Sequence, residues 1–209
     1  FKRSAAQFRK WVTADGSAGP SGRGGFEAEP GRYHLYVSLA CPWANRTLIF
    51  RHLKGLEEMI GLSVVHWRMK EHGWTFEEGD GVIPDPINGA DYMYQVYTAA
   101  LPDYSGRVTV PVLWDKKQGV IVNNESSEII RMLNSEFDAW GRADLDFYPE
   151  HDRGEIDASG QERPEARYYR EYAGGSGGAR SVGTPPTTWP RARASTRRSP
   201  ASGCRRDLS

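Results

Sequence analysis

The chain has 209 residues, and its 27 Lys and Arg are balanced by 27 Asp and Glu, so no net charge draws it to nucleic acid or to an acidic membrane. Hydrophobic residues make up 38% of the chain, below the usual globular share, while Gly (23) and Pro (13) are frequent. Cys41 and Cys204 are too few for a disulfide framework and form no CxxC pair. His34, His52, His66, His72 and His151 lack metal-ligand spacing, so no metal is expected. No apolar run is long enough to cross a bilayer, and the stretch from Phe1 to Arg9 has no signal-peptide core. The chain opens on Phe1 rather than Met, as a fragment would, and a reducing cytoplasm is the expected compartment.

Residues 1–32 read as an N-terminal extension, with Asp15 to Gly25 a loop by composition. Its glycines lack a GxxxxGK[ST] pattern and a preceding strand, which argues against a phosphate cradle. Tyr33–Leu39 is a strand candidate, rich in aromatic and β-branched residues. A helix is expected from Pro42 to about Lys54, with Ala44, Leu48, Ile49 and Leu53 on its apolar face and Gly55 at its end. Ser63–Trp67 is the second strand.

Residues 68–106 read as a long, irregular insertion carrying Trp74, Phe76, Tyr92, Tyr94, Tyr97 and Tyr104. The tyrosines at 92, 94 and 97 are expected to pack the loop. Arg107–Trp114 and Gly119–Val122 form a hairpin of strands. A last helix starts near Asn124 as N-cap and keeps Ile129, Ile130, Leu133 and Phe137 at helical spacing. The order βαβ then ββα predicts an α/β, thioredoxin-like domain over residues 33–140. In that fold Pro111 begins the third strand and the Val110–Pro111 bond is cis, which accounts for a proline in an apolar strand.

Cys41 lies where the first strand gives way to the helix, followed by Pro42. A cysteine there faces the N–H groups and positive dipole end of a helix, and both stabilise a thiolate. Pro42 suits the first turn, where its missing N–H is not needed. The pattern points to a thiol nucleophile; the competing reading is a buried, inert cysteine.

The composition breaks after Asp157. From Ala158 to Ser209 there is no Ile, Met or Phe, and the one Leu is Leu208. Runs such as Gly174 to Gly178 and Arg191 to Arg198 cannot bury enough apolar area to offset chain entropy. Residues 158–209 are therefore expected to be disordered, either a basic interaction tail or the product of an out-of-frame reading. Residues 141–157 read as an interdomain linker remnant.

Residues 2 to about 137 resemble the glutathionyl-hydroquinone reductases, the xi class related to omega-class glutathione transferases. The resemblance is carried by Trp11 to Gly16, Arg32 to Ala44, Gly73 to Phe76, Tyr104 to Lys117 and Asn124 to Met132. One departure is Asn45, where the family usually has His; Asn keeps the polarity but cannot titrate near neutral pH. The resemblance implies reduction of glutathionyl-hydroquinones through a mixed disulfide between Cys41 and glutathione. Omega-type thioltransferase or dehydroascorbate reductase activity is the alternative within enzymes, and a remnant that only binds glutathione is the alternative outside them.

By the same resemblance, the Val108 backbone would pair with the cysteinyl part of glutathione. Glu125 and Ser126 would hold its γ-glutamyl end, Trp74 would cover the tripeptide, and Arg107 would meet a carboxylate. The family's second, helical domain supplies the rest of a quinone pocket and a homodimer interface. The sequence beyond residue 157 does not match it, so weak hydroquinone turnover is expected even where Cys41 reacts.

Overall fold

The computed structural model describes residues 6–158. The expected disorder of residues 158–209 lies outside the described residues, Ala158 at the end of the last helix apart.

The sheet has the order β2-β1-β3-β4, built from β1 (Tyr33–Ser38), β2 (Ile60–Val65), β3 (Val112–Asp115) and β4 (Val120–Asn123). The β1–β2 pair is parallel, with Tyr33 opposite Ile60 and Ser38 opposite Val65, while β3 and β4 run antiparallel. Helix α1 (Pro42–Leu53) makes the crossover between β1 and β2 and packs on α3 (Ser126–Ser135). This is the thioredoxin-like arrangement expected from the order of elements.

All six residues of β1 are buried, so the sheet is covered on both faces. Strand alternation separates them. Tyr33 meets Phe137 edge-on at 5.7 Å beyond α3, and Tyr36 faces Phe76 of the insertion. His34 lies over Gly61, its partner in the register; a Cβ at Gly61 would stand 2.4 Å from its Nδ1. Glycine is required there by close approach.

The structure moves several expected boundaries. The second strand runs Ile60–Val65 rather than 63–67, because the pairing with β1 begins at Tyr33 and Gly61 makes room for His34. The third strand begins at Val112; Arg107 to Pro111 lie outside the sheet, with Thr109 bonded to Tyr97 instead of to a strand. The buried stripe of α1 is Ala44, Arg46, Thr47 and Phe50, so Leu48, Ile49 and Leu53 are only partly covered. Gly55 does follow the helix at φ 66°, and Leu56 N–H reaches back to the Arg51 carbonyl.

The insertion is not irregular throughout. It contains α2 (Met93–Ala100), whose Met93, Val96 and Tyr97 are buried at helical spacing. Gln95 starts it by accepting from the N–H groups of Asp91 and Tyr92. Asp85 fixes the loop before α2. Its carboxylate accepts from the N–H groups of Ile87, Asn88 and Ala90 and from the Tyr36 hydroxyl.

The extension ahead of β1 is part of the fold. Lys10 N–H reaches the Val122 carbonyl and Asn124 N–H the Phe8 carbonyl, while Val12, Phe26 and Ala28 join the core. Arg32 grips the buried Asp115 through two hydrogen bonds, of 3.0 and 2.6 Å, and also reaches the Gly25 carbonyl. That carboxylate holds the guanidinium above its ordinary pKa. At the other end the buried Lys54 donates to Asp138 and to the Leu145 carbonyl, and a short 3-10 turn and α4 (Arg153–Ala158) follow. No described helix is long and apolar enough to cross a membrane.

Candidate active site

Cys41 is the N-cap residue of α1, with extended backbone (φ −99°, ψ 113°) and Pro42 in the first turn. Ser38, the last residue of β1, accepts the Cys41 N–H through its carbonyl and the Ala40 N–H through its hydroxyl. These bonds turn the chain so that the half-buried thiol points at the Val110 carbonyl, 3.7 Å away. The Val110–Pro111 peptide is cis. Leu39 and Trp43, on either side of Cys41, are exposed.

The loop facing the thiol is held from behind. Tyr97, on α2, donates its hydroxyl to the Thr109 carbonyl at 2.8 Å and accepts from the Thr109 N–H and the Asn124 amide. Burial raises the Tyr97 pKa, so the hydroxyl stays a donor. Tyr104 donates to the Arg107 carbonyl at 2.7 Å. Tyr97 thus packs the insertion as expected, and it also fixes the site loop. Among the described residues no hydrogen bond reaches the Val108 N–H or carbonyl, so this stretch offers backbone to an added strand.

The third part of the site is the start of α3. Glu125, not Asn124, is the N-cap: its carboxylate accepts from the N–H and hydroxyl of Ser127. Ser126 accepts a 2.6 Å hydrogen bond from Arg46, whose guanidinium also stands 3.9 Å from Glu125 and 5.0 Å from the centre of the Trp43 ring. Arg46 was not singled out from the sequence. Its one signal was a cation at a core-facing position of α1.

Trp74 is half-buried against the core, its carbonyl accepting the Met93 N–H, and Thr75 bridges to Tyr92 beside it. Arg107 is exposed on the loop ahead of Val108. The structure therefore brings Cys41 against the Val108–Pro111 loop, and ties Glu125 and Ser126 to the same helix through Arg46. Arg107 adjoins Val108 on that loop, and Trp74 lies on the insertion, bonded to the start of α2. His34 is buried with Nε2 2.8 Å from the Ser63 hydroxyl, and burial lowers its pKa to about 4. Among the described residues no cluster of three or more His, Cys, Asp or Glu could hold a metal ion.

Residues 40–136 match the family described as glutathione S-transferase, N-terminal domain. The chain is 61% identical over 150 residues to glutathionyl-hydroquinone reductase YqjG of Escherichia coli (strain K12), covering 71% of this chain and 46% of that protein. It is 55% identical over 175 residues to glutathionyl-hydroquinone reductase PcpF of Sphingobium chlorophenolicum, covering 84% and 51%. The N-terminal portion of this chain is thus similar to the glutathionyl-hydroquinone reductases, and over residues 40–136 it carries the glutathione S-transferase N-terminal domain.

Solved structures of xi-class proteins share the fold. A glutathione-bound structure of YqjG from Escherichia coli K-12 superposes with a TM-score of 0.70 at 58% identity, over 73% of this chain and 50% of that one. The glutathione S-transferase Xi of Phanerochaete chrysosporium gives a TM-score of 0.69 at 48% identity, over 82% and 55%. The chain spans about half the length of the curated relatives it matches.

Proposed function

We propose that this chain is a glutathione-dependent reductase of glutathionyl-hydroquinones, working through a mixed disulfide on Cys41. The observation that carries the reading is the Cys41 thiol at the start of α1, 3.7 Å from the Val110 carbonyl and facing a loop whose Val108 backbone is open. The relatives named above as glutathionyl-hydroquinone reductases support the same chemistry.

In the first step the Cys41 thiolate attacks the sulfur of the glutathionyl group. A sulfur–sulfur bond forms and the bond from sulfur to the ring carbon breaks. The electron pair stays on the ring carbon, which takes a proton, and the hydroquinone leaves. A second glutathione thiolate then attacks the mixed disulfide, releasing oxidised glutathione and restoring the Cys41 thiolate. The two glutathione sulfurs are oxidised and the ring carbon is reduced by two electrons.

Glutathione is held in three places in this proposal. The Val108 backbone pairs with its cysteinyl unit as an added strand. Ser126, through its hydroxyl and its own N–H at the start of α3, takes the γ-glutamyl carboxylate, and Glu125 its ammonium. Trp74 covers the tripeptide and Arg107 meets a carboxylate. Residues 33–140 form the glutathione-binding domain, and 141–157 lead out of it. A reducing cytoplasm suits a lone reactive thiol.

The test is incubation of the full chain with a glutathionyl-hydroquinone and glutathione, following free hydroquinone by chromatography and the Cys41 adduct by mass spectrometry. Both products should form with wild type and neither with Cys41→Ser. Failure of any glutathione adduct to form on folded wild-type protein overturns the assignment.

A further inference from the structure

Helix α1 carries two groups toward the site. Cys41 caps it, and Arg46 leaves its buried face to reach the start of α3. Arg46 is 7% exposed and Ser126 3% exposed, so their 2.6 Å hydrogen bond is shielded from water. A guanidinium has donors and no acceptor. Ser126 Oγ must therefore accept, and its own proton is turned elsewhere. Among the described residues no group accepts that proton.

Glu125 shows the complementary pattern. Its Oε1 takes the Ser127 N–H and hydroxyl and faces Arg46. Among the described residues no hydrogen bond reaches its Oε2, and the side chain is 28% exposed. A hydroxyl donor and a carboxylate oxygen thus stand on adjacent residues, beside the Ser126 N–H, which no group among the described residues accepts. Together they fit the carboxylate and ammonium of an α-amino acid head.

We infer that Arg46 is a positioning residue that orients the Ser126 hydroxyl as a donor and so makes the site selective for γ-glutamyl thiols. The inference rests on the glutathione reading above and adds to it a residue and a specificity. Arg46 need not touch the ligand. It fixes the direction of the Ser126 proton and holds the Glu125 carboxylate, and it does so from the helix that bears the nucleophile.

The experiment compares two disulfides as probes of Cys41 in the full chain: oxidised glutathione, and oxidised cysteinylglycine, which lacks the γ-glutamyl unit. In each case the Cys41 thiolate attacks one sulfur, forming a mixed disulfide and releasing the other half as a thiolate. Wild type should react faster with oxidised glutathione. Arg46→Met should slow that reaction about tenfold or more while leaving cysteinylglycine unaffected. Arg46→Lys should restore part of the rate, and in a Ser126→Ala background Arg46→Met should add little. If Arg46→Met does not fold, Arg46→Lys gives the same selective slowing at smaller size. Equal slowing of both probes, or no slowing of either, overturns the role of Arg46 while leaving the glutathione reading intact. A wild-type protein that forms adducts but does not distinguish the probes removes the γ-glutamyl subsite itself, and this inference with it.

Discussion

The Tyr36 hydroxyl donates to the Asp85 carboxylate at 2.8 Å, joining the strand that leads to Cys41 to the loop that leads to α2. Asp85 also collects the N–H groups of Ile87, Asn88 and Ala90, so one buried carboxylate shapes the turn. Asp85→Ala leaves these donors and the Tyr36 hydroxyl without their acceptor. It should cost about 2–4 kcal/mol of stability, read from urea unfolding. Asp85→Asn keeps the size and part of the bonding and should cost less. A loss under 0.5 kcal/mol for the alanine variant would mean that the turn is held elsewhere.

Cys41 is half-buried and its side chain bonds only weakly, to the Val110 carbonyl. Cys41→Ser should therefore fold with a Tm close to wild type. It should form no glutathione adduct, because a serine hydroxyl stays protonated near neutral pH. Mass spectrometry after incubation with oxidised glutathione checks the second point and thermal unfolding the first. An adduct of unchanged yield would place the reactive thiol at Cys204.

Tyr97→Phe keeps the ring in the core and removes the hydroxyl from Thr109 and Asn124. The cost should be about 1–3 kcal/mol, since the Thr109 N–H and Asn124 amide lose a buried partner. Because Thr109 adjoins Val108, glutathione affinity should fall as well. Calorimetric titration of the variant with glutathione checks this. Full affinity alongside lost stability would separate the loop anchor from the binding site.

His34 gives a pH dependence of defined sign. Burial holds it neutral, lowering its pKa from 6.5 to about 4. The unfolded chain takes up its proton near pH 6.5 while the folded chain resists until about 4. This contribution is therefore complete above about pH 6.5 and is lost as the pH falls toward 4. Between pH 7.5 and 5 the loss from this group should be about 2 kcal/mol. His34→Gln should flatten that part of the profile, measured by urea unfolding at both pH values. An unchanged slope in the variant would assign the pH dependence to other groups.

Local signals in the sequence specified much of this protein. The apolar run of β1, the strand-to-helix turn at Cys41-Pro42, the β3–β4 hairpin and the stripe of Ile129, Ile130 and Leu133 each depend on residues close along the chain. Capping and periodicity are short-range effects, so a sequence displays them directly. The helix α2 was legible in the spacing of Met93, Val96 and Tyr97, but its tyrosine-rich setting read as loop packing. The edges of β2 and β3 were not legible, because pairing with β1 and the His34–Gly61 contact set them.

The candidate site divides in the same way. The proposal of Cys41 as nucleophile starts from a local pattern, its place beside Pro42 at the helix start, and Glu125 and Ser126 mark the start of α3. The chain ahead of β1 read as loop, yet its bonds to Val122 and Asn124 make it part of the fold. Arg46 has no distinguishing mark in the sequence; the packing of α1 against α3 brings it to Ser126, 80 positions away. A buried hydrogen bond of that kind has no local signature. Both partners are ordinary in sequence, and only the packing of two helices on one face of the sheet removes the water that would otherwise satisfy them.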